Sequence, residues 1–249
     1  MKKLLQFELR KLFKMKSLYI CLLICIGSLI LTTLTTKLIY DSFGDYFTPP
    51  NSFEMVRNFI SSSNLIIIGC IFTTLYVCDD FSNGTIKNIC SKGYTRSNIY
   101  LSKYIISTLT IIIFSIVSII FTYIFGLILW NNHVNVSSLE LISILVQILI
   151  MIAYNSFFFT ISYKFEKTGT GIALNIIGPI VISLITILID ELLKIDNFSI
   201  NSYWIESLFL TLQQGVITLD KIITPTITSI IYILLLGFIN YQISKKKQF

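Results

Sequence analysis

The sequence predicts an all-α membrane protein with six transmembrane helices. Of the 249 residues, 54% are hydrophobic and only 13% are charged, and the mean hydropathy is +0.79. A soluble domain carries about 25% charged residues, so this chain cannot cover a water-facing surface. Its apolar residues form runs of about 20 residues, and such runs become helices because backbone groups in hydrocarbon must pair internally. The alternating segments of about ten residues that are typical of a membrane β-barrel do not occur.

The first predicted element is a basic amphipathic helix over residues 1–16, with an apolar face and an opposite basic face. The apolar face is formed by Leu5, Leu9, Leu12 and Phe13, and the basic face by Lys3, Gln6, Arg10 and Lys14. Such a helix is suited to lie on an anionic membrane surface. The alternative is that the segment is only a positive flank for the first span.

Six apolar runs follow, each close to the length that a hydrocarbon core about 30 Å thick requires. They are Leu18–Thr36, Ile60–Cys78, Tyr104–Trp130, Leu139–Tyr163, Thr170–Ile189 and Ile222–Ile243. The whole chain, residues 1–249, reads as a single membrane domain. Within it, residues 17–244 form the six-span part and residues 245–249 a basic tail.

The distribution of charge predicts the orientation. With both ends placed in the cytoplasm, fifteen of the 19 Lys and Arg residues lie on the inner side, and nine of the 13 acidic residues lie outside. Basic residues are enriched in cytoplasmic loops, so the opposite orientation is rejected. We therefore expect a multi-pass protein of the cell membrane with cytoplasmic N- and C-termini.

Two outer segments are long. Residues 37–59 contain Pro49-Pro50, which predicts a break between structured pieces. Residues 190–221 contain an amphipathic stretch formed by Tyr203, Trp204, Leu208, Phe209 and Leu212. Since Trp and Tyr favour the headgroup level, we expect an interfacial or re-entrant helix before the last span.

Candidate catalytic and metal-binding groups are few. The single histidine, His133, falls in a short outer turn. The Asp190-Glu191 pair falls at an outer helix end, where two solvated carboxylates are a simpler interpretation than a pair of acid–base catalysts. Cys21 and Cys25 lack partner ligands, so no metal site is expected. The sequence contains no G-x-x-x-x-G-K-[ST] phosphate loop, so we expect no enzyme activity in this chain.

The polar residues inside the predicted spans are amides and hydroxyls, and ionisable residues are essentially absent there. The amides Gln147, Asn155 and Asn175 are the candidate residues of a translocation path. They can either hydrogen-bond neighbouring helices together or line a path, and the sequence leaves both interpretations open.

One inner segment, residues 79–103, has an unusual pattern of turn and capping residues. Asn83-Gly84 predicts a turn, and Ile86, Ile89 and Cys90 then form a one-sided helical stripe. Gly93 is placed to end that helix in the left-handed conformation, and Thr95 is placed to cap the next helix. The segment therefore predicts a short amphipathic helix held on the inner surface between two spans.

This segment resembles the permease subunits of ABC-2-type transporters. The resemblance rests on the acidic pair Asp79-Asp80, on Gly84-Thr85 and the short apolar helix, and on Thr95-Arg96 before a lysine that opens the next span. The surface helix around Glu8–Leu12, the six spans and the outer helical segment before the last span are also similar. Asp79-Asp80 is a departure, since many relatives carry Glu there. In size the chain is similar to small bacterial permeases for bacitracin and lantibiotic resistance and to exporters of phenol-soluble modulins.

The resemblance implies an ATP-driven exporter of amphipathic or antimicrobial peptides or hydrophobic compounds. Two permease chains, identical or related, would pair with two ABC ATP-binding subunits that bind ATP and Mg. The segment 84–95 would be the coupling helix, with Ile86 and Ile89 offering an apolar face to the ATPase. The residues implied in this contact are Asp80, Gly84, Thr85, Ile86, Lys87, Asn88, Ile89, Thr95 and Arg96.

Two other classes of function remain open from the sequence. One is a secondary transporter or channel that works without an ATPase, and the other is a structural or sensory membrane subunit that moves no substrate. A phosphate-loop ATPase that copurifies with the chain would favour the permease over both. No nucleic-acid partner is expected, because the basic residues are placed by membrane orientation.

Overall fold

The computed structural model describes residues 1–43, 52–130, 137–193, 199–213 and 217–246. Within these ranges the chain forms ten α-helices and one 3₁₀ turn and no strand, which confirms the all-α prediction. The helices are α1 (Lys2–Lys14), α2 (Lys16–Phe43), α3 (Ser52–Ile60), α4 (Ser63–Ser82), α5 (Thr85–Ser91), α6 (Arg96–Trp130), α7 (Ser138–Phe165), α8 (Thr168–Leu193), α9 (Ile205–Gln213) and α10 (Leu219–Lys246). The 3₁₀ turn is Asn201–Tyr203.

Among the described residues, six helices are long and apolar enough to cross a membrane, namely α2, α4, α6, α7, α8 and α10. Five of them contain a predicted run in full, and α4 contains all but the first three residues of the second run. The predicted second run starts too early, because Ile60 ends the separate helix α3 and α4 begins at Ser63. Six crossings return the chain to its starting side. We call the end that carries α1, α5 and the last turn of α10 the basic end, and the opposite end the far end.

The centre of the bundle is formed by α4 and α7. In the most apolar window of each of these helices 61% of the residues are buried, against 11% in α8 and 17% in α10. Helix α7 packs against α4, α6, α8 and α10. The outer faces of α2, α8 and α10 expose many Leu and Ile side chains, and such a surface is stable in lipid rather than in water.

Two short helices close the far end. Helix α9 buries Ile205, Leu208, Phe209 and Leu212 against α7, α10 and α3, so the predicted helical segment before the last span is confirmed. Helix α3 was not predicted, and it packs against α6 and α7. The predicted break at Pro49-Pro50 and the predicted turn around His133 lie outside the described residues.

Helix α1 confirms the predicted N-terminal helix but is rotated relative to the predicted apolar face. Its buried stripe is Leu4, Glu8 and Leu12, which packs on the basic end of α6, while Leu9 and Phe13 are exposed. The rotation has a physical cause. Turning Glu8 inward lets its carboxylate pair with a buried lysine, whose partners are described below.

Candidate functional site

Helix α5 lies at the basic end between α4 and α6. Gly84 (φ 66°) precedes it and Gly93 (φ 85°) follows it, and both adopt the left-handed conformation that favours glycine. The hydroxyl of Thr95 accepts a hydrogen bond from the backbone N–H of Asn98 at 3.4 Å, at the start of α6. These geometries confirm the predicted turn, helix stop and helix start, and they define the position of α5 on both sides.

The two faces of α5 are chemically different. Ile86 and Ile89 are buried, and Ile89 packs with Leu4 of α1 and Ile99 of α6. The exposed face carries Lys87, Asn88, Ser91 and Lys92. The resemblance implied that the isoleucines face a partner, whereas in the structure both are buried in the chain's own interior, and Leu4 of α1 and Ile99 of α6 pack against Ile89. The surface that α5 presents outward is therefore polar and basic.

Four charged side chains and one tyrosine meet where α1, α4 and α6 converge beside α5. Lys103 Nζ lies 3.1 Å from Glu8 Oε1 and also pairs with Asp80, which pairs in turn with Lys11. Tyr76 donates a hydrogen bond from its hydroxyl to Glu8 Oε2 at 2.7 Å. The Nζ atoms of Lys11 and Lys103 lie 5.5 Å and 5.2 Å from the centre of the Tyr76 ring. We call these five residues the ionic cluster.

Burial makes the ionic cluster strongly dependent on its own pairing. Glu8 and Lys103 have no exposed surface, Asp80 is 1% exposed, and the Lys11 side chain is 18% exposed. Burying one ion in a protein interior costs several kcal/mol of desolvation free energy, and the attraction between well-placed partners must offset this cost. Two acids and two bases balance here, so the cluster ties α1, α4 and α6 together while remaining neutral.

The charged residues of the ionic cluster lie outside the predicted apolar runs, at the basic ends of α4 and α6 and on α1. Helix α4 continues to Ser82 and α6 begins at Arg96, so Asp80 and Lys103 lie inside long helices rather than in a loop. Asp80 is buried and pairs with Lys11 and Lys103. It is connected to α5 through the last turn of α4, which precedes α5 in the chain. The sequence contains one signal for the cluster. Leu4, Glu8 and Leu12 are spaced by four residues and so share one face of α1, and the acid in the middle of an otherwise apolar stripe indicates a buried partner.

Arg96 and Thr85 are half-buried at the two edges of α5. The residues implied in coupling therefore divide into two groups. One group lies at or beside the exposed face of α5: Gly84, Thr85, Lys87, Asn88, Thr95 and Arg96. The other group is buried: Asp80, Ile86 and Ile89. Contact with an ATPase stays a prediction for all of them.

Asn155 connects three helices in the middle of the bundle. Its Oδ1 accepts hydrogen bonds from the hydroxyls of Thr73 on α4, at 2.8 Å, and Ser107 on α6, at 2.9 Å. The residue is 1% exposed. In this structure Asn155 serves the first of the two roles left open by the sequence, since it hydrogen-bonds neighbouring helices together.

Asn175 has both a hydrogen-bonding role and a place on a cleft. Its Nδ2 donates to the hydroxyls of Thr74 and Ser162, each at 2.9 Å, and so links α8 to α4 and α7. Asn175 also lines a cleft of about 120 Å³ together with Tyr154 and Glu206. Of the candidate path residues, Asn175 thus combines burial with a position beside a cleft.

Gln147 anchors α3 at the far end. Its Nε2 donates to the hydroxyl of Ser61 at 2.8 Å and to the backbone carbonyl of Arg57 at 3.2 Å. The side chain is fully buried. Gln147 therefore fixes the C-terminal end of α3 against α7.

Asp190 shapes the turn that leads to α9. Its carboxylate accepts hydrogen bonds from the Ser199 hydroxyl at 2.6 Å and from the backbone N–H groups of Ile200 and Asn201 at 2.7 and 2.9 Å. This arrangement is a local cap for the turn that follows the end of α8.

Residues 4–183 match the protein-family model described as ABC-2 family transporter protein. The matched stretch is more than two thirds of the chain, and it includes most of α1, the ionic cluster, α5 and most of α8. No curated protein matches the sequence.

Proposed function

This chain belongs to the ABC-2 transporter family, and on that premise we propose that it is the permease subunit of an ATP-driven exporter. The family implies a separate ABC ATPase as partner. In our proposal two permease chains, identical or related, assemble with two ATPases, and the ATPases bind ATP and Mg while this chain carries out no catalysis. The basic end faces the cytoplasm, where ATP is found, and the far end faces the outside of the cell.

The observation that carries this proposal is the position of α5. The helix presents Lys87, Asn88, Ser91 and Lys92 outward and is held on both sides by left-handed glycines. It rests directly on α1 and α6, which the ionic cluster ties to α4. A force applied to α5 by a closing ATPase therefore reaches the basic ends of α6 and α4 as a rigid displacement, the kind of two-state element that a remote ligand can bias.

Amphipathic peptides or hydrophobic compounds are the substrate class that we propose. The buried groups in the middle of the bundle are hydroxyls and amides, such as Thr73, Ser107 and Asn155, while the charges concentrate at the two ends. A small ion would need charged or closely spaced oxygen ligands at depth. An uncharged polar interior is better suited to a substrate that is itself largely apolar.

The proposed coupling contact is tested by reversing the charge of the exposed face of α5. In cells that contain the native ATPase, a tagged wild-type chain should copurify with a phosphate-loop ATPase, and the Lys87→Glu/Lys92→Glu variant should lose most of it. Lys167→Glu, at the exposed turn between α7 and α8 on the same end, is the matched control and should retain it. Equal ATPase recovery in all three samples would contradict the coupling role of α5.

Surface variants are the cleaner choice for this experiment. Ile89→Asp would bury an unpaired carboxylate against Leu4 and Ile99 and would disturb folding directly. Lys87 and Lys92 are exposed, so their replacement leaves the core intact. Expression level and thermal stability of the Lys87→Glu/Lys92→Glu variant should therefore match those of the wild type.

The proposed orientation is tested by cysteine labelling. Ser42 at the far end and Asn83 at the basic end are both exposed. In a Cys90→Ser background, which removes the one native cysteine that is not buried, Ser42→Cys should react with an impermeant thiol reagent in intact cells and Asn83→Cys should not. Labelling at Asn83 from outside would contradict the orientation.

A further inference from the structure

A polar cavity of about 440 Å³ opens at the far end, between α3, the start of α7 and the end of α9. Its size lies in the range of pockets that bind small molecules. Glu54, Arg57 and Asn58 line it from one face of α3, Glu140 from the first turn of α7, and Gln213 from α9. The cavity contains three charged side chains, at the opposite end of the bundle from the ionic cluster.

Arg57 is the unusual residue of this cavity. It is only 5% exposed, and its Nε is buried without a hydrogen-bond partner. Its backbone is held by Gln147, whose Nε2 donates to the Arg57 carbonyl. A guanidinium is a planar fork of donors that matches a carboxylate or phosphate. The Arg57 guanidinium is therefore buried, has an unsatisfied donor and borders a cavity, while its backbone is fixed by Gln147. This arrangement suits the binding of an anionic group.

The acidic side chains restrict which anionic group fits. Glu54 and Glu140 give the lining two negative charges against the one positive charge of Arg57. Glu140 Oε2 accepts a hydrogen bond from the backbone N–H of Ser137 at 3.0 Å, which holds its carboxylate at the cavity. An anion alone would be repelled by the two carboxylates. A group that carries a carboxylate and an ammonium together would match all three charges.

A second, smaller cleft lies on the neighbouring face of α3. It has a volume of about 140 Å³ and is lined by Met55 and Phe59 of α3 and by Thr32, Thr33 and Thr36 of α2. Asn58 lines both spaces. A ligand with a doubly charged end next to an apolar side chain could therefore occupy both.

We propose that the far-end cavity binds the charged end of an amphipathic peptide. The terminal carboxylate pairs with Arg57, a neighbouring ammonium group is directed to Glu54 and Glu140, and an adjacent apolar side chain enters the cleft at Met55 and Phe59. The assignment of the ligand to peptides rests on the proposed function, whereas the requirement for both charges rests on the cavity itself.

The test uses a synthetic amphipathic helical peptide that ends in lysine, prepared with a free C-terminal carboxylate and as the C-terminal amide. Binding is measured by fluorescence anisotropy to the full chain in nanodiscs of phosphatidylglycerol. The wild type should bind the acid about tenfold or more tightly than the amide, as expected for loss of a charge-assisted hydrogen bond. Arg57→Gln should bind both forms equally. Lys221→Gln removes a positive charge at the same end but outside the cavity lining, and should keep the preference.

The second arm tests the acidic side. Replacing the terminal lysine of the probe by norleucine should weaken binding to the wild type about tenfold, and should have less effect on the Glu54→Gln/Glu140→Gln variant. Absence of any acid-over-amide preference in the wild type, or an unchanged preference in Arg57→Gln, would overturn the proposal. So would an Arg57-dependent thermal stabilisation by phosphatidylethanolamine with none by the peptide, because the site would then take a lipid headgroup.

The two proposals fail in distinguishable ways. If the acid preference depends on Arg57 while the α5 charge reversal leaves ATPase recovery unchanged, the peptide site stands and the coupling role fails. If ATPase recovery depends on α5 while Arg57→Gln keeps the wild-type preference, the permease assignment stands and the cavity has another role.

Discussion

The two ends of the bundle bury charge in opposite ways. At the basic end, Glu8, Asp80 and Lys103 are enclosed and satisfy one another. At the far end, Arg57 is nearly as buried, but its Nε has no hydrogen-bond partner and it borders a cavity. A buried charge that is satisfied internally stabilises the chain's own packing, whereas one that keeps an unsatisfied donor beside a cavity can pair with an external group. Burial alone therefore does not distinguish a structural charge from a binding charge, and the partners do.

The largest expected effect is at the ionic cluster. Lys103→Met removes the shared partner of Glu8 and Asp80 and leaves two buried carboxylates. We expect the free energy of unfolding to fall by about 3–5 kcal/mol. The measurement is unfolding of the purified chain in mixed detergent micelles. Lys92→Met, an exposed lysine at the same end, should stay within about 0.5 kcal/mol of the wild type. Equal stability of the two variants would contradict this expectation, because the cluster would then not hold the basic end together.

The next effect concerns how the far end is packed. A Cβ added at Gly126 of α6 would lie 3.1 Å from the Cα of Ser52, so α3 would have to shift. We expect Gly126→Ala to cost about 1–3 kcal/mol, as overpacking usually does. In Gly27→Ala the added methyl meets nothing within 4 Å, and this matched control should be neutral or stabilising. Thermal denaturation of the two variants in the same micelles would measure the difference. A Gly126→Ala chain as stable as Gly27→Ala would show that α3 is loosely seated.

A smaller effect is expected at the turn before α5. Gly84 has φ 66° and open space around it, so a side chain there meets backbone strain but no clash. Gly84→Val should cost about 1–2 kcal/mol and shift α5. Gly84→Asn should be milder, since asparagine tolerates the left-handed conformation. Recovery of the ATPase and thermal stability should both be highest for the wild type, lower for Gly84→Asn and lowest for Gly84→Val. The reverse order would indicate that the turn geometry does not matter for α5.

The smallest effect is expected at Arg57. Arg57→Met keeps the aliphatic stem and removes a guanidinium whose Nε is unsatisfied, so we expect a change in stability below about 1 kcal/mol in either direction. This contrasts with Lys103→Met, which removes a buried charge that has two acidic partners. Both variants are measured by unfolding in the same micelles. A loss at Arg57 comparable to that at Lys103 would show that the far-end charge is structural after all.

Local signals in the sequence were sufficient for the surface helix α5. Gly84, Gly93 and Thr95 act on the backbone within one or two residues of themselves, so their positions predicted a turn, a stop and a cap that the structure confirms. The direction in which the apolar face of α5 points could not be predicted in the same way. For Ile89 it depends on Leu4 and Ile99, which approach α5 only after α1 packs on α6.

Helix α3 shows the opposite case. Residues 52–60 contain Glu54, Arg57 and Asn58, and in the sequence they look like part of a polar outer segment. A helix of nine residues is not stable in isolation. It forms because Met55, Val56, Phe59 and Ile60 are buried against neighbouring helices and because Gln147, 90 residues further along the chain, bonds to its last turn.

Apolar run length and the density of charge were enough to establish an all-α, six-span membrane protein, because each span satisfies its backbone hydrogen bonds within its own residues. Tertiary structure alone decided which charges are paired. Glu8, Asp80 and Lys103 come from three separate segments, and the energy that holds them depends on distances of a few ångströms between those segments. The same dependence leaves Arg57 beside a cavity, since no acidic group of the described residues was brought into ion-pair contact with it.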